Sequence, residues 1–136
     1  MYLLDTNVIS ELRQPRPHGG VVAWLESVPD AAVHLCASTL GELQVGIEKA
    51  REQDPVKASQ IEAWVDQVAQ DMAVLDIDAP TFRIWAQMIG SRSDTVRDDA
   101  LVAACAQRHG LTVVTRNIRH FSDFGVPLLD PFAWQG

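Results

Sequence analysis

A chain of 136 residues, 47% hydrophobic and 21% charged, has the composition of one folded domain, 1–136, with a sizeable core. Its net charge of −7 sets aside a uniformly basic nucleic-acid-binding surface. No apolar run reaches the roughly 18 residues of a membrane span, and Asp5 interrupts the N-terminus before any run of signal-peptide length, so a cytoplasmic protein is expected.

The first predicted strand, Tyr2–Leu4, passes straight into Asp5, Thr6 and Asn7 and then into a helical pattern with Val8 and Ile9. A carboxylate at the edge of a core is costly unless it is paired. Asp5 therefore either caps that helix or helps to hold a cation. The loop "RQPRPHGG" leads to a second helix with Val21, Val22, Trp24, Leu25 and Val28. A second strand, Val33–Cys36, precedes a helix with Ser38 or Thr39 as its cap and Leu40, Leu43 and Ile47 on one face. Glu42, three residues after Thr39, fits a capping box.

Pro55 opens a helix whose stripe is Ile61, Trp64, Val65 and Val68. A third strand, Ala73–Ile77, is followed by "APTFRIWAQMIG", a helix with Phe82, Trp85, Met88 and Ile89. The helix "DDALVAACAQRHG" opens on two acids, which suit the helix dipole, and stops at Gly110. Strand Leu111–Thr115, a short turn and strand Val126–Leu129 complete the chain.

Strands alternating with helices predict an α/β three-layer sandwich with a mainly parallel sheet. The unbroken apolar strands suit burial on both faces. Sites in such sheets form beyond the carboxyl ends of the strands, where Asp5 and Asn7 follow the first strand and Thr115, Arg116 and Asn117 the fourth. Asp5, Glu42, one of Asp98 and Asp99, and Asn117 can converge there. Each alone has a local explanation, as a cap, a dipole partner or a turn residue. Gathered on one edge, carboxylates are costly without a cation, and oxygen ligands suit hard divalent ions. His18, His34, His109 and His120 are scattered and form no zinc pattern, and Cys36 and Cys105 read as reduced core thiols. Residues 1–82 hold 13 acids and 5 Lys or Arg, whereas 83–136 hold 5 acids and 6 Arg, the side chain suited to phosphate.

Four segments, "LLDTNVISEL", "ASTLGEL", "DDALVAACAQRHGLTVVTRN" and "FGVPLLDPF", together resemble a PIN domain. More closely, they resemble the VapC-type ribonuclease toxins of bacterial toxin–antitoxin pairs, over nearly the whole chain. The resemblance implies Mg²⁺- or Mn²⁺-dependent cleavage of RNA, a cognate antitoxin whose tail lies along the early helices, and a homodimer, which the large aromatics Trp64, Trp85 and Trp134 also suggest. Its acidic positions fall on Asp5, Glu42 and Asp99, the acid directly before Ala100 being chosen over Asp98. Asp5 and Asp99 are then the nearest metal ligands, and Glu42 acts directly or through water. Many relatives carry a further acid after T-R, where this chain has Asn117, and another three residues on, where it has His120. Asn117 can hydrogen-bond a metal-bound water. Thr6, Asn7 and Thr115 would orient the carboxylates, and Arg116 and Arg119 would contact RNA phosphates.

Two other readings compete. A phosphatase or receiver-type protein draws on Asp76 and Asp78 after the third strand, but no Lys follows Lys57 and the first strand ends in D-T-N rather than D-x-D. A PIN-fold binding module with a weakened site draws only on Asn117 and His120.

Overall fold

Five short parallel strands carry the molecule: β1 (Tyr2–Leu4), β2 (Val33–Cys36), β3 (Ala73–Leu75), β4 (Thr112–Val114) and β5 (Leu128–Leu129), ordered β3-β2-β1-β4-β5. The computed structural model describes residues 1–90 and 97–136. The helices are α1 (Thr6–Leu12), α2 (Gly19–Ser27), α3 (Ala37–Gln53), α4 (Pro55–Asp71), α5 (Ala79–Ile89), α6 (Arg97–His109) and α7 (Ile118–Phe121).

Alternation along the strands makes two cores. Leu3, Cys36 and Val113 turn to one face, against Ala100, Ala103 and Ala106 of α6, with Trp85 and Met88 of α5 packed behind. Leu4, Leu35 and Val114 turn to the other, against Val8, Ile9, Val21 and Trp24 of α1 and α2 and Val68 of α4. Helices cover both faces, which is why the strands read as unbroken apolar runs. The three-layer parallel architecture is therefore the one expected. The chain runs outward from β1 through β2 to β3 and then crosses to β4 and β5 on the other side of β1, so the strand order reverses between β1 and β4 and a crevice opens at their ends.

The local differences have physical causes. Helix α3 begins at Ala37 with Cys36 as its N-cap and no side-chain capping bond, so neither Ser38 nor Thr39 is the cap. Strand β2 runs directly into the helix and leaves no loop residue for that role. Ser38 Oγ instead donates to Cys36 Sγ at 3.1 Å, and Thr39 is fully buried, its hydroxyl without a partner among the described residues. The third strand stops at Leu75, short of Ile77. Between β4 and β5 stands α7 with a 3-10 turn, Ser122–Phe124, rather than a short turn. Buried Phe121 and Phe124 anchor this segment, and Gly125, at φ 72°, lets the chain leave it.

Helix α2 packs closely on the turn Pro131–Ala133. A Cβ on Gly20 would sit 2.8 Å from the Pro131 carbonyl oxygen and 3.2 Å from the His18 ring. Gly20→Ala is expected to lower stability by about 1–3 kcal/mol in chemical denaturation, because backbone rather than a flexible side chain must move.

Candidate active site

Asp5 caps the first helix, one of the two roles its position suggested. As the N-cap of α1 its Oδ1 accepts the Thr6 N–H at 2.8 Å. Its Oδ2 accepts the Thr115 hydroxyl at 2.8 Å and the Asn7 amide at 3.1 Å. Thr115, fully buried at the end of β4, also accepts the Asn117 N–H at 2.9 Å. Asn7 Oδ1 accepts the Arg116 N–H at 3.2 Å. These bonds tie the end of β1 to the end of β4 and fix the Asp5 carboxylate, only 5% of the residue being exposed. Thr115→Val keeps the shape but leaves Asp5 short of a donor and the Asn117 N–H unpaired. The expected loss is about 1–3 kcal/mol, read from a denaturant midpoint.

Glu42 reaches across from α3 to α1, where its Oε2 accepts the Thr6 hydroxyl at 2.9 Å. The capping-box partner Thr39 is thus replaced by Thr6, since Glu42 lies beyond the first turn of a helix that starts at Ala37. Asp99 opens α6 with its side chain 24% exposed, and its Oδ2 lies 3.2 Å from His120 Nδ1. Asp98 is exposed. Asn117 precedes α7, and its side chain makes no capping bond.

Asp5, Asn7, Glu42, Asp99 and Asn117 line one cleft of about 460 Å³. Ser10 and Glu11 extend the wall along α1, and Gln14 just past its C-terminus. Together with Asn7 they recur at helical spacing, a signal present in the sequence but not used. Beside the cleft a second cavity, of about 370 Å³, receives Arg116, Arg119 and His120. Asp76 and Asp78 do not join the cleft: Asp78 caps α5, accepting the Thr81 N–H at 3.0 Å, and Asp76 is exposed. The phosphatase or receiver reading loses its support there.

Burial pushes all three carboxyls above the usual carboxylate range. For Asp5 burial outweighs the bonds from Thr115, Thr6 and Asn7. For Glu42 burial comes first, opposed by Thr6 and joined by the charges of Asp5, Asp98 and Asp99. For Asp99 burial comes first, then repulsion from Asp5, with His120 opposing. The cleft is thus short of positive charge. Its donors are hard oxygens suited to Mg²⁺ or Mn²⁺. Among the described residues no three His, Cys, Asp or Glu side chains converge into a ready-made metal cage.

The model of the PIN domain matches residues 2–126. The chain belongs to the PIN domain family. Among PIN relatives, toxin FitB of Neisseria gonorrhoeae is 34% identical over 139 residues, spanning 97% of this chain and 99% of FitB. The VapC ribonuclease Y4jK of Sinorhizobium fredii is 31% identical over 137 residues, spanning 97% and 98%. The crystal structure of FitAcB from Neisseria gonorrhoeae superposes with a TM-score of 0.85 at 35% identity, covering 98% of this chain and 99% of that one. The expected fold and family both stand. No helix among the described residues is long and apolar enough to cross a membrane.

Proposed function

We propose that this PIN domain protein, one domain over 1–136, is a divalent-metal-dependent ribonuclease acting as the toxin of a toxin–antitoxin pair. The observation that carries this reading is the gathering of Asp5, Glu42 and Asp99, from three separate elements, around one open cleft at the switch point of the sheet. The names of the relatives, a toxin and a VapC ribonuclease, support it.

Asp5 and Asp99 would hold Mg²⁺ or Mn²⁺, with Glu42 acting directly or through water and Asn117 holding a water. When bound there, such an ion would supply an acidified water and offset charge on the phosphodiester. The chain's own residues do the positioning. Thr6, Asn7 and Thr115 hold Asp5 in one orientation, and the Thr6 hydroxyl also holds Glu42. Arg116 and Arg119 would bring positive charge to the RNA beside the cleft. Asn117 and His120 remove charge from the site but leave the three acids in place, so a weakened binding module is the poorer account.

A cognate antitoxin is the expected protein partner. Of the early apolar residues, Ile9, Trp24 and Ile47 are core and half-buried Leu12, Leu25 and Leu43 pack against the second core, which leaves Val22 and the exposed parts of those leucines for an apolar tail. Self-association rests on fewer aromatics than expected, since Trp64 and Trp134 pack into the second core. What remains is Phe82, 47% exposed and edge-on to Trp85 on α5. Sedimentation is expected to show a dimer at micromolar concentration that Phe82→Glu shifts towards monomer. The test of activity is direct: purified protein cleaves single-stranded RNA with Mg²⁺ or Mn²⁺ and stops when excess chelator is added. Full cleavage in chelator would overturn the metal-dependent mechanism.

A further inference from the structure

The second cavity adjoins the acidic cleft, and Asn117 lines both. Arg116, Arg119 and His120 face one carboxylate there, Asp130. Asp130 is engaged elsewhere, its Oδ1 accepting the Phe132 N–H at 2.9 Å. Among the described residues neither Arg116 nor Arg119 has an ion-pair partner, whereas Arg51 is paired with Glu48 and Glu62, and Arg108 with Asp78. Two such guanidinium groups thus stand at the end of an acidic cleft in a chain of net charge −7.

An exposed arginine ordinarily samples many rotamers, but Arg116 is held from both ends. Its N–H donates to Asn7 Oδ1 at 3.2 Å, and its guanidinium lies over the Phe132 ring, 4.5 Å from the centroid. The Phe132 ring in turn packs on His18, with centroids 5.2 Å apart. A planar cation backed by a ring offers its other face to solvent. Single-stranded RNA is commonly held by bases stacked on such guanidinium planes and on aromatic rings. The volume, about 370 Å³, falls within the small-ligand range, which begins near 300 Å³.

We propose that this cavity seats the nucleotide next to the scissile phosphate, its base stacked on Arg116 and its phosphate held by Arg119 and His120. The assignment rests on the ribonuclease reading for what lies in the acidic cleft. It adds a division of labour: Arg116 recognises a base face, and Arg119 recognises charge. Asn117 marks the passage from one nucleotide to the next. Stacking without base-edge contacts makes the substrate an unpaired strand, because a base inside a duplex has no free face to give.

The test measures binding of 5′-fluorescein hexauridylate, and of an abasic ribose-phosphate chain of equal length, by anisotropy with Ca²⁺ in place of Mg²⁺. Wild type is expected to prefer the chain with bases about tenfold. Arg116→Lys keeps the charge and should lose most of that preference. Arg119→Ala should weaken both probes alike and flatten the slope of log affinity against log salt by about 0.7, the value for one phosphate contact on a single strand. Arg83→Ala, on α5, should leave every value within twofold. An unchanged base preference in Arg116→Lys, or an unchanged salt slope in Arg119→Ala, would overturn the subsite. Wild-type protein that binds in this pattern yet cleaves no RNA would overturn the ribonuclease reading and leave the subsite standing.

Discussion

Asp99→Asn is expected to lose RNA cleavage by at least about 100-fold, while Asp98→Asn stays within a few-fold of wild type. Partners that only orient a metal ligand commonly contribute 10–100-fold, so a ligand itself should contribute more. The two acids are neighbours about 100° apart on the helix. Ala100, Ala103 and Ala106 are fully buried against the sheet, which fixes the rotation of α6. That rotation puts Asp99 in the cleft beside His120 and leaves Asp98 exposed. In Asp99→Asn the amide keeps the shape of the side chain and removes the charge that holds the ion. By circular dichroism without metal, Asp98→Asn should melt near the wild-type temperature and Asp99→Asn no lower, since it removes a buried, repelling charge. A dead Asp98→Asn beside a working Asp99→Asn would mean that the acid-bearing face of α6 has been misassigned.

The second large effect is on stability. Metal-free protein should lose the contribution of Asp5, Glu42 and Asp99 as pH rises, and Mg²⁺ should restore it. The folded-state pKa of each is raised above its ordinary value of 3.8 for the aspartates and 4.5 for the glutamate. Below those values the groups are protonated whether the chain is folded or not, and their contribution is fully present. It is lost as pH climbs through the raised folded values, because the folded chain must then hold buried, mutually repelling charges. Glu48, Glu62 and Asp78 have lowered values and work in the opposite sense. The informative quantity is therefore the difference between wild type and Glu42→Gln, which should favour the variant increasingly as pH rises through this window. At neutral pH, Mg²⁺ at about 100 times its Kd should raise the wild-type melting temperature by roughly 5–10 °C. A wild-type melting temperature that ignores both pH in this window and Mg²⁺ would show that the three acids do not form a coupled, cation-seeking group.

Much of the site was legible because strand ends and helix starts are local events. Tyr2–Leu4 followed by Asp5 announces a buried strand that ends in a charge. The acids before Ala100 announce a helix start, and the small residues Ala103 and Ala106 show which of the two faces the sheet. The T-x-x-E pattern points Glu42 to the wrong partner because it is a local signal. The real partner, Thr6, belongs to another helix, and the direct passage from β2 into α3 is a tertiary fact. The contact of His120 with Asp99 was hidden for the same reason. Helix α7 is a single turn, too short for any periodic stripe, and only the apolar pair Phe121 and Phe124, three residues apart, marked it. The stacking of Arg116 on Phe132 depends on the chain returning past β5 to lie beside the end of β4, which no spacing encodes.

That Asp5 and Asp99 create a divalent-metal site is tested most directly by calorimetric titration of Mn²⁺ into metal-free wild type, Asp98→Asn and Asp99→Asn, which does not rely on turnover. Comparable binding by wild type and Asp98→Asn, with at least about tenfold weaker binding by Asp99→Asn, is the result expected. Binding of Mn²⁺ by Asp99→Asn with wild-type affinity, or no binding by wild type at all, would contradict it.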